Sequence, residues 1–130
     1  MGAKRGLSPT QRTLRELRNQ GCICDIVERF ISRAGPFGKR MDFLGFADLI
    51  ACYPRSICAI QCCGQDFAAH KTKVLENEYA PEWIKSGGRI EIWGWRKVKK
   101  VKGGKALIWM PRVQEITAEH FAAPIIIQVK

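Results

Sequence analysis

Two polar side chains interrupt neighbouring apolar segments in the middle of the chain. Asp48 lies in the mostly apolar segment 45–54, and Gln61 lies in the apolar segment 57–63. Burying either group without a hydrogen-bond partner or a metal costs roughly 1–3 kcal/mol, and more for an ionised carboxylate. Both offer oxygen atoms, which Mg²⁺ prefers as ligands, and bound Mg²⁺ assists attack of water on a phosphodiester. The pair therefore indicates a metal centre for phosphodiester cleavage.

Two further carboxylates come earlier in the chain and could complete such a centre. Asp42 and Glu28 both precede the Asp48 segment. For Asp48 alone, the alternative is a structural role, in which it caps a turn or pairs with an arginine such as Arg40. The placement of Asp42, Asp48 and Gln61 in consecutive segments favours a site.

The segments that carry Asp48 and Gln61 have the length and apolar character of strands. A turn at 53–56 predicts that they pair as a hairpin. Before them, Ser8 and Pro9 predict the start of a helix that ends at Gly21. Residues 22–31 are predicted to form a first strand of about eight residues, followed by a loop over 32–41.

Beyond Gln61 the apolar period becomes helical. Asp66 is predicted to cap a helix that extends to Glu78, and a second short helix follows over 80–86. Strands are predicted over 89–98 and 106–116, and Pro111 indicates that the second of them lies at a sheet edge. This order predicts an α/β sandwich in which helices flank a central mixed sheet.

Composition limits the partners. The 130 residues are of the length of one domain, and 22 Lys and Arg against 12 Asp and Glu give a net charge of +10, which favours a polyanion such as DNA. No apolar run approaches the ~20 residues that span a bilayer, and the first residues lack the apolar core of a secretory signal. We therefore expect no membrane partner.

The six cysteines form no Cys-x-x-Cys pair and have no histidine at zinc-ligand spacing. We interpret them as small apolar side chains in a reducing cytosol.

A cluster of lysines marks the predicted turn between the last two strands and is expected to bind phosphates with little sequence preference. Its members are Lys97, Lys99, Lys100, Lys102 and Lys105. Trp93, Trp95 and Trp109 flank this turn, and alternation places the first two on one strand face. The tryptophans are expected in the core or a dimer interface, with a stacking platform for bases as the alternative.

Residues 45–48 in one strand and 60–63 in the next resemble the motifs of the PD-(D/E)XK nuclease superfamily. The resemblance extends over roughly residues 8–116, and it is strongest to archaeal-type Holliday junction resolvases and to small resolvase-like nucleases of phage or bacteria. It implies a restriction-endonuclease-like α/β sandwich and a cytoplasmic protein.

The resemblance assigns roles to individual residues. Asp48 matches the metal-binding aspartate, Gln61 matches a glutamate that is sometimes glutamine, and the carbonyl of Cys62 would be a third metal ligand. Asp42 or Glu28 would complete the metal shell. Gln61 carries no charge, so the cation, Mg²⁺ or Mn²⁺, should bind more weakly than in relatives with glutamate.

The catalytic lysine of the family corresponds to Cys63, which cannot act as an ammonium group does. Some relatives supply that lysine from the following helix, where this chain has Lys71 and Lys73 beside His70. The alternative is that these residues form only a basic helix face. The loop at 35–40 corresponds to the region in which resolvase-like enzymes approach the scissile backbone. We therefore expect Lys39 and Arg40 to clamp phosphates.

The expected function is a metal-dependent endonuclease that hydrolyses phosphodiester bonds in structured or branched DNA. The alternatives are a catalytically degenerate nucleic-acid-binding protein with the same fold and a structural phage or mobile-element protein. We expect a flexible basic N-terminus over 1–7 and a nuclease-like domain over 8–118. Residues 119–130 should form a C-terminal arm or edge strand suited to a homodimer.

Overall fold

The helices and strands assemble into a five-stranded mixed sheet with helices on both faces. The computed structural model describes residues 6–33 and 35–121. Its elements are α1 (Pro9–Asn19), β1 (Ile23–Ile26), β2 (Arg29–Ile31), β3 (Lys39–Met41), β4 (Leu49–Tyr53), β5 (Ser56–Cys63), α2 (Phe67–Leu75), α3 (Ala80–Lys85), β6 (Arg89–Lys99), β7 (Leu107–Ile116) and the 3₁₀ helix η1 (Ala118–Phe121). The expected α/β class is confirmed.

The sheet has the strand order β1-β4-β5-β6-β7. β5 and β6 run parallel, joined by α2 and α3, and the other neighbours are antiparallel. The predicted hairpin is confirmed, since β4 and β5 pair from Leu49 opposite Ile60 to Tyr53 opposite Ser56. β7 is an edge strand, as Pro111 indicated. β2 and β3 form a separate two-stranded sheet.

Side-chain alternation along β5 divides the core into two halves. Cys58, Ile60 and Cys62 pack on the face that Leu17 of α1 covers. Ala59 and Cys63 belong to the opposite half, which is covered by α2 and α3. Period-two alternation on a sheet covered on both sides explains why β5 is apolar at nearly every position.

The first helix is held by its cap and by one buried hydrogen bond. Ser8 is the N-cap and Pro9 is at the first helical turn, as the sequence predicts, and Gln11 completes a capping box with Ser8. The Oγ1 atom of the fully buried Thr13 accepts a hydrogen bond of 2.9 Å from Nε1 of Trp95 on β6. This contact fixes α1 against the sheet.

We expect Thr13→Val to lower the free energy of unfolding by about 1–3 kcal/mol, because the indole N–H of Trp95 would lose its partner inside the core. Thr13→Ser keeps the hydroxyl and is the matched control. Chemical denaturation of the three proteins measures the difference. Equal destabilisation by valine and serine would show that the hydrogen bond contributes nothing.

Three predicted boundaries were wrong. Residues 22–31 are not one strand, because the chain breaks after Ile26 and β2 pairs with β3, which lies in the predicted loop. The strand predicted from residue 45 begins at Leu49, because Leu44 and Gly45 adopt positive φ angles of 54° and 82° in a tight turn. The first helix after β5 ends at Leu75 rather than Glu78.

Several terminal predictions concern residues that the structure does not describe. Residues 1–5 and 122–130 lie outside the described ranges, and so does most of the predicted C-terminal arm. Within residues 6–33 and 35–121, no helix has the length and apolar character needed to cross a bilayer.

Candidate metal centre and nucleic-acid interface

Asp48 and Gln61 lie opposite each other where β4 begins and β5 approaches its end. The Asp48 N–H donates to the carbonyl of Ile60 at 2.8 Å, which extends the β4–β5 pairing by one residue. Both side chains are buried, with 6% and 1% of their surface exposed. The Oδ2 atom of Asp48 accepts two hydrogen bonds, from Gln61 Nε2 at 2.6 Å and from the Cys62 N–H at 2.8 Å. The Asp48 carboxylate is therefore held rigidly.

Three carboxylates converge at this point. Glu28, Asp42 and Asp48 each offer one oxygen, and these atoms lie within 4.8 Å of one another. Glu28 lies between β1 and β2, Asp42 directly follows β3, and Asp48 directly precedes β4. Clustered carboxylate oxygens are the donor set that suits Mg²⁺ or Mn²⁺.

The electrostatics of Asp48 also suit a cation. Burial raises the pKa of the Asp48 carboxyl to about 7, and the nearby charges of Asp42 and Glu28 add to the increase. The hydrogen bonds from Cys62 and Gln61 act in the opposite direction. Without a cation, the ionised cluster is therefore unfavourable above neutral pH.

Lys73 is the lysine of α2 that contacts the acidic cluster. Its Nζ atom lies 2.5 Å from Oδ2 of Asp42. Two residues are separated by about 200° around a helix, so Lys71 and Lys73 cannot face the same point. Lys71 forms no salt bridge within the described part of the chain.

His70 connects α2 to the Asp48 and Gln61 pair. Its Nδ1 lies 3.3 Å from Oε1 of Gln61, and its Nε2 lies 2.9 Å from Oδ2 of Asp66. Asp66 is at the N-cap position of α2, as predicted. Its carboxylate, however, contacts His70 and forms no cap hydrogen bond. The position of His70 four residues after Asp66 was the only sequence indication of this contact.

Gln61 and Cys62 surround Asp48 as hydrogen-bond donors. The Gln61 amide nitrogen faces Asp48, and its carbonyl oxygen faces His70. Cys62 contributes its backbone N–H. In this arrangement Gln61 and Cys62 orient the carboxylate of Asp48, while Glu28 and Asp42 supply the other clustered oxygens.

Cys63, which the sequence resemblance matched to a catalytic lysine, is part of the core. Only 2% of its surface is exposed, and it packs in the core half that contains Phe67 of α2. Burial raises the pKa of its thiol to about 11, so this side chain is neutral at physiological pH. All six cysteines are free thiols, and Cys24, Cys58 and Cys62 are also buried.

A second buried carboxylate has a different environment. Glu91 of β6 accepts hydrogen bonds from the Tyr53 hydroxyl at 2.6 Å and from Trp93 Nε1 at 3.0 Å, and Arg89 lies 3.7 Å away. These donors and the cation satisfy the charge of Glu91, which we interpret as structural. Asp48 instead faces two further carboxylates.

The basic hairpin, defined as β6 and β7 with the turn between them, extends past the end of β5. The last β5–β6 pair joins Cys63 to Gly94, and β6 continues to Lys99. Five further strand residues span about 17 Å. The five lysines predicted to bind phosphates are all exposed. Because β5 and β6 are parallel, the hairpin projects beyond the end of β5, which is the end of the sheet near Gln61.

The tryptophans divide between core and surface. Trp93 and Trp95 are buried on one face of β6 with ring centroids 6.3 Å apart, as alternation predicts. Trp109 is 41% exposed, and its ring lies 3.9 Å from the guanidinium carbon of Arg12 and 5.2 Å from Nζ of Lys97. Trp109 therefore anchors cations at the surface of the hairpin.

The two residues expected as phosphate clamps lie on β3. Lys39 and Arg40 are both exposed, and Nη1 of Arg40 lies 4.0 Å from Oε1 of Glu28. A cleft of about 550 Å³ opens beside Glu28 and Arg40, and the start of α1 forms its other wall. Of the three clustered carboxylates, Glu28 lines this cleft.

No family model, curated protein or solved structure matches the chain. The interpretation of the site therefore depends on its geometry and chemistry.

Proposed function

We propose that this protein is a metal-dependent endonuclease of the PD-(D/E)XK type that cleaves structured or branched DNA, as Holliday junction resolvases do. The observation that supports this best is the convergence of Glu28, Asp42 and Asp48 with Lys73 at one end of the sheet. The basic hairpin projects from the same end. Clustered carboxylates with a nearby lysine and a binding surface for phosphates suit phosphodiester hydrolysis.

The antiparallel β4–β5 pair supports the resemblance to this superfamily. It sets Asp48 beside Gln61, as expected from matching these residues to the family's aspartate and glutamate. The mixed sheet with α1 on one face and α2 and α3 on the other is compatible with a restriction-endonuclease-like sandwich.

Glu28, Asp42 and Asp48 would hold Mg²⁺ or Mn²⁺. When bound, the cation would supply Lewis-acid stabilisation of the phosphate and lower the pKa of a coordinated water. Gln61 and the Cys62 N–H fix the Asp48 carboxylate, so little reorganisation is needed when the substrate binds. Lys73 places an ammonium group where it can stabilise charge that develops on the phosphate.

Two observations favour a catalytically degenerate nucleic-acid-binding protein as the second candidate. Cys63 is buried and neutral, and Gln61 presents an amide nitrogen to Asp48. Compared with the family pattern, the site lacks one negative and one positive charge. In this second candidate the fold and the basic hairpin would serve binding alone.

The two candidates differ in a nicking assay on a four-way DNA junction, with a linear duplex of the same sequence as the control. We expect the wild type to cleave the junction with Mg²⁺ or Mn²⁺ and not with EDTA. Salt-dependent binding without cleavage would support the degenerate protein. Absence of DNA binding at low salt would contradict both.

We expect Lys73→Ala to lower the single-turnover cleavage rate by about 10²-fold or more, because removing one group that stabilises transition-state charge costs about that much. Lys71→Ala removes the same charge from the other side of α2 and is the matched control, expected to retain the wild-type rate. Cleavage at wild-type rates by both variants would exclude a catalytic lysine from α2.

A further inference from the structure

A concave basic site lies beside the end of β5, on the sheet face that α2 covers. It has a volume of about 300 Å³, and its lining includes Gly64, Phe67, Gly94, Arg96 and Arg112. The sequence analysis assigned no role to either arginine. Lys97 also lines this site, but its ammonium lies near Trp109, which alternation places on the opposite face.

The two arginines are brought together by the register of β6 and β7. Arg112 pairs with Gly94, and Arg96 pairs with Met110, so the arginines are diagonal neighbours on one face of the sheet. The backbone positions of such neighbours are about 7–8 Å apart. Neither forms a salt bridge with any carboxylate of the described residues. Adjacent uncompensated cations repel each other, and a bound anion would relieve that repulsion.

The guanidinium of Arg112 is held in place by the ring of Phe67, which packs over Gly94. A Cβ atom at Gly94 would lie 2.5 Å from Cδ2 of Phe67, so only glycine at 94 leaves room for the ring. The Arg112 guanidinium carbon then lies 4.0 Å from the centroid of that ring. Stacking on an aromatic face fixes the guanidinium plane and leaves its N–H edge available for bidentate hydrogen bonds to phosphate oxygens.

We propose that Arg112 and Arg96 form a binding site for one internal backbone phosphate of a DNA strand. Gly64 lines the site and directly follows β5, so the site lies at the same end of β5 as Gln61, which contacts Asp48. Both arginines are exposed, but the ring of Phe67 fixes the guanidinium of Arg112, whereas the exposed lysines of the hairpin track the backbone without a fixed position. The inference rests on the proposed function insofar as the ligand is DNA.

The test measures equilibrium binding of a four-way junction in EDTA, where no cleavage occurs, over a range of salt concentrations. Arg112→Gln should weaken binding about tenfold, corresponding to one charge-assisted contact, and should lower the salt slope by about one. Arg112→Lys keeps the charge and loses the planar guanidinium, so its affinity for the junction should lie between that of the wild type and that of Arg112→Gln. Arg55→Asn removes the same charge from the β4–β5 turn at the opposite end of the sheet and should change affinity less than twofold.

Junctions that carry a single neutral methylphosphonate at successive positions locate the contact. The wild type should lose affinity at one position, and Arg112→Gln should be insensitive to that substitution. Binding by Arg112→Gln equal to that of Arg55→Asn, or unchanged sensitivity at every position, would overturn the site. A wild type that binds the junction as expected but does not cleave it would contradict the proposed enzyme and leave this site standing. A wild type that binds no DNA would overturn both.

Discussion

Asp48→Asn is expected to abolish metal-dependent DNA cleavage and, at the same time, to stabilise the metal-free protein at pH 8. The variant removes one of the three clustered carboxylates and keeps an oxygen that can accept from Gln61 and the Cys62 N–H. Cleavage should fall by at least about 10³-fold, because the Lewis-acid contribution of a bound cation is several kcal/mol. Junction binding in EDTA should be retained.

The gain in stability should depend on pH in a defined direction. The pKa of Asp48 is raised to about 7 by burial, above the value near 3.9 in an unfolded chain. Between these values the native state binds more protons than the unfolded state, so wild-type stability falls as pH rises from about 4 to 7 and then levels off. Asparagine does not titrate and avoids this loss.

The difference between Asp48→Asn and wild type should therefore be near zero at pH 4 and should reach the order of 3–4 kcal/mol at pH 8. Denaturation in EDTA at several pH values measures it. Glu119→Gln, at an exposed carboxylate of η1, is the matched control and should show no such trend. A variant that is less stable than wild type at pH 8 would show that Asp48 is a structural carboxylate, like Glu91.

Gln61→Glu should have opposite effects on stability and on metal affinity. The Gln61 Nε2 atom donates to Asp48 at a distance of 2.6 Å, and glutamate would place a second carboxylate oxygen there. Two buried carboxylates so close cannot both ionise without a cation. The metal-free protein should lose roughly 3 kcal/mol at pH 8.

With Mn²⁺ present, the same variant should bind the ion at least about tenfold more tightly than wild type, because the charge of the ligand set rises. Thermal unfolding with EDTA and with Mn²⁺ measures both effects. Gln65→Glu adds the same charge at an exposed position four residues later and should leave stability and affinity unchanged. Equal behaviour of the two variants would show that Gln61 does not contribute to the proposed metal centre.

The elements that local sequence determines were predictable. The Ser8 cap, the β4–β5 hairpin and the edge position of Pro111 depend on residue types within a few positions, and all three are found. The division of residues 22–31 between two sheets depends on distant contacts, such as the hydrogen bond of 2.9 Å from the Val27 N–H to the carbonyl of Asp48. Periodicity within a segment carries no information on such a contact.

The site was predictable in its residue types and less so in its hydrogen bonds. Asp48 could be named because a carboxylate in an apolar strand is rarely buried without a partner, and Asp42 and Glu28 could be named as the carboxylates that precede it. The choice between Lys71 and Lys73 depends on the rotation of α2 about its axis, which the sequence does not specify. The proposed role of Arg112 depends on the register between β6 and β7 and on the ring of Phe67 above Gly94.

Binding of Mn²⁺ to the DNA-free protein, measured by calorimetry at pH 8, tests the proposed metal centre most directly. We expect saturable binding by wild type that Asp42→Asn and Asp48→Asn each weaken by at least about tenfold, because each removes one charged ligand. Glu119→Gln should bind as wild type does. Equal Mn²⁺ affinity in all four proteins, or no binding by wild type, would contradict a metal centre formed by Glu28, Asp42 and Asp48.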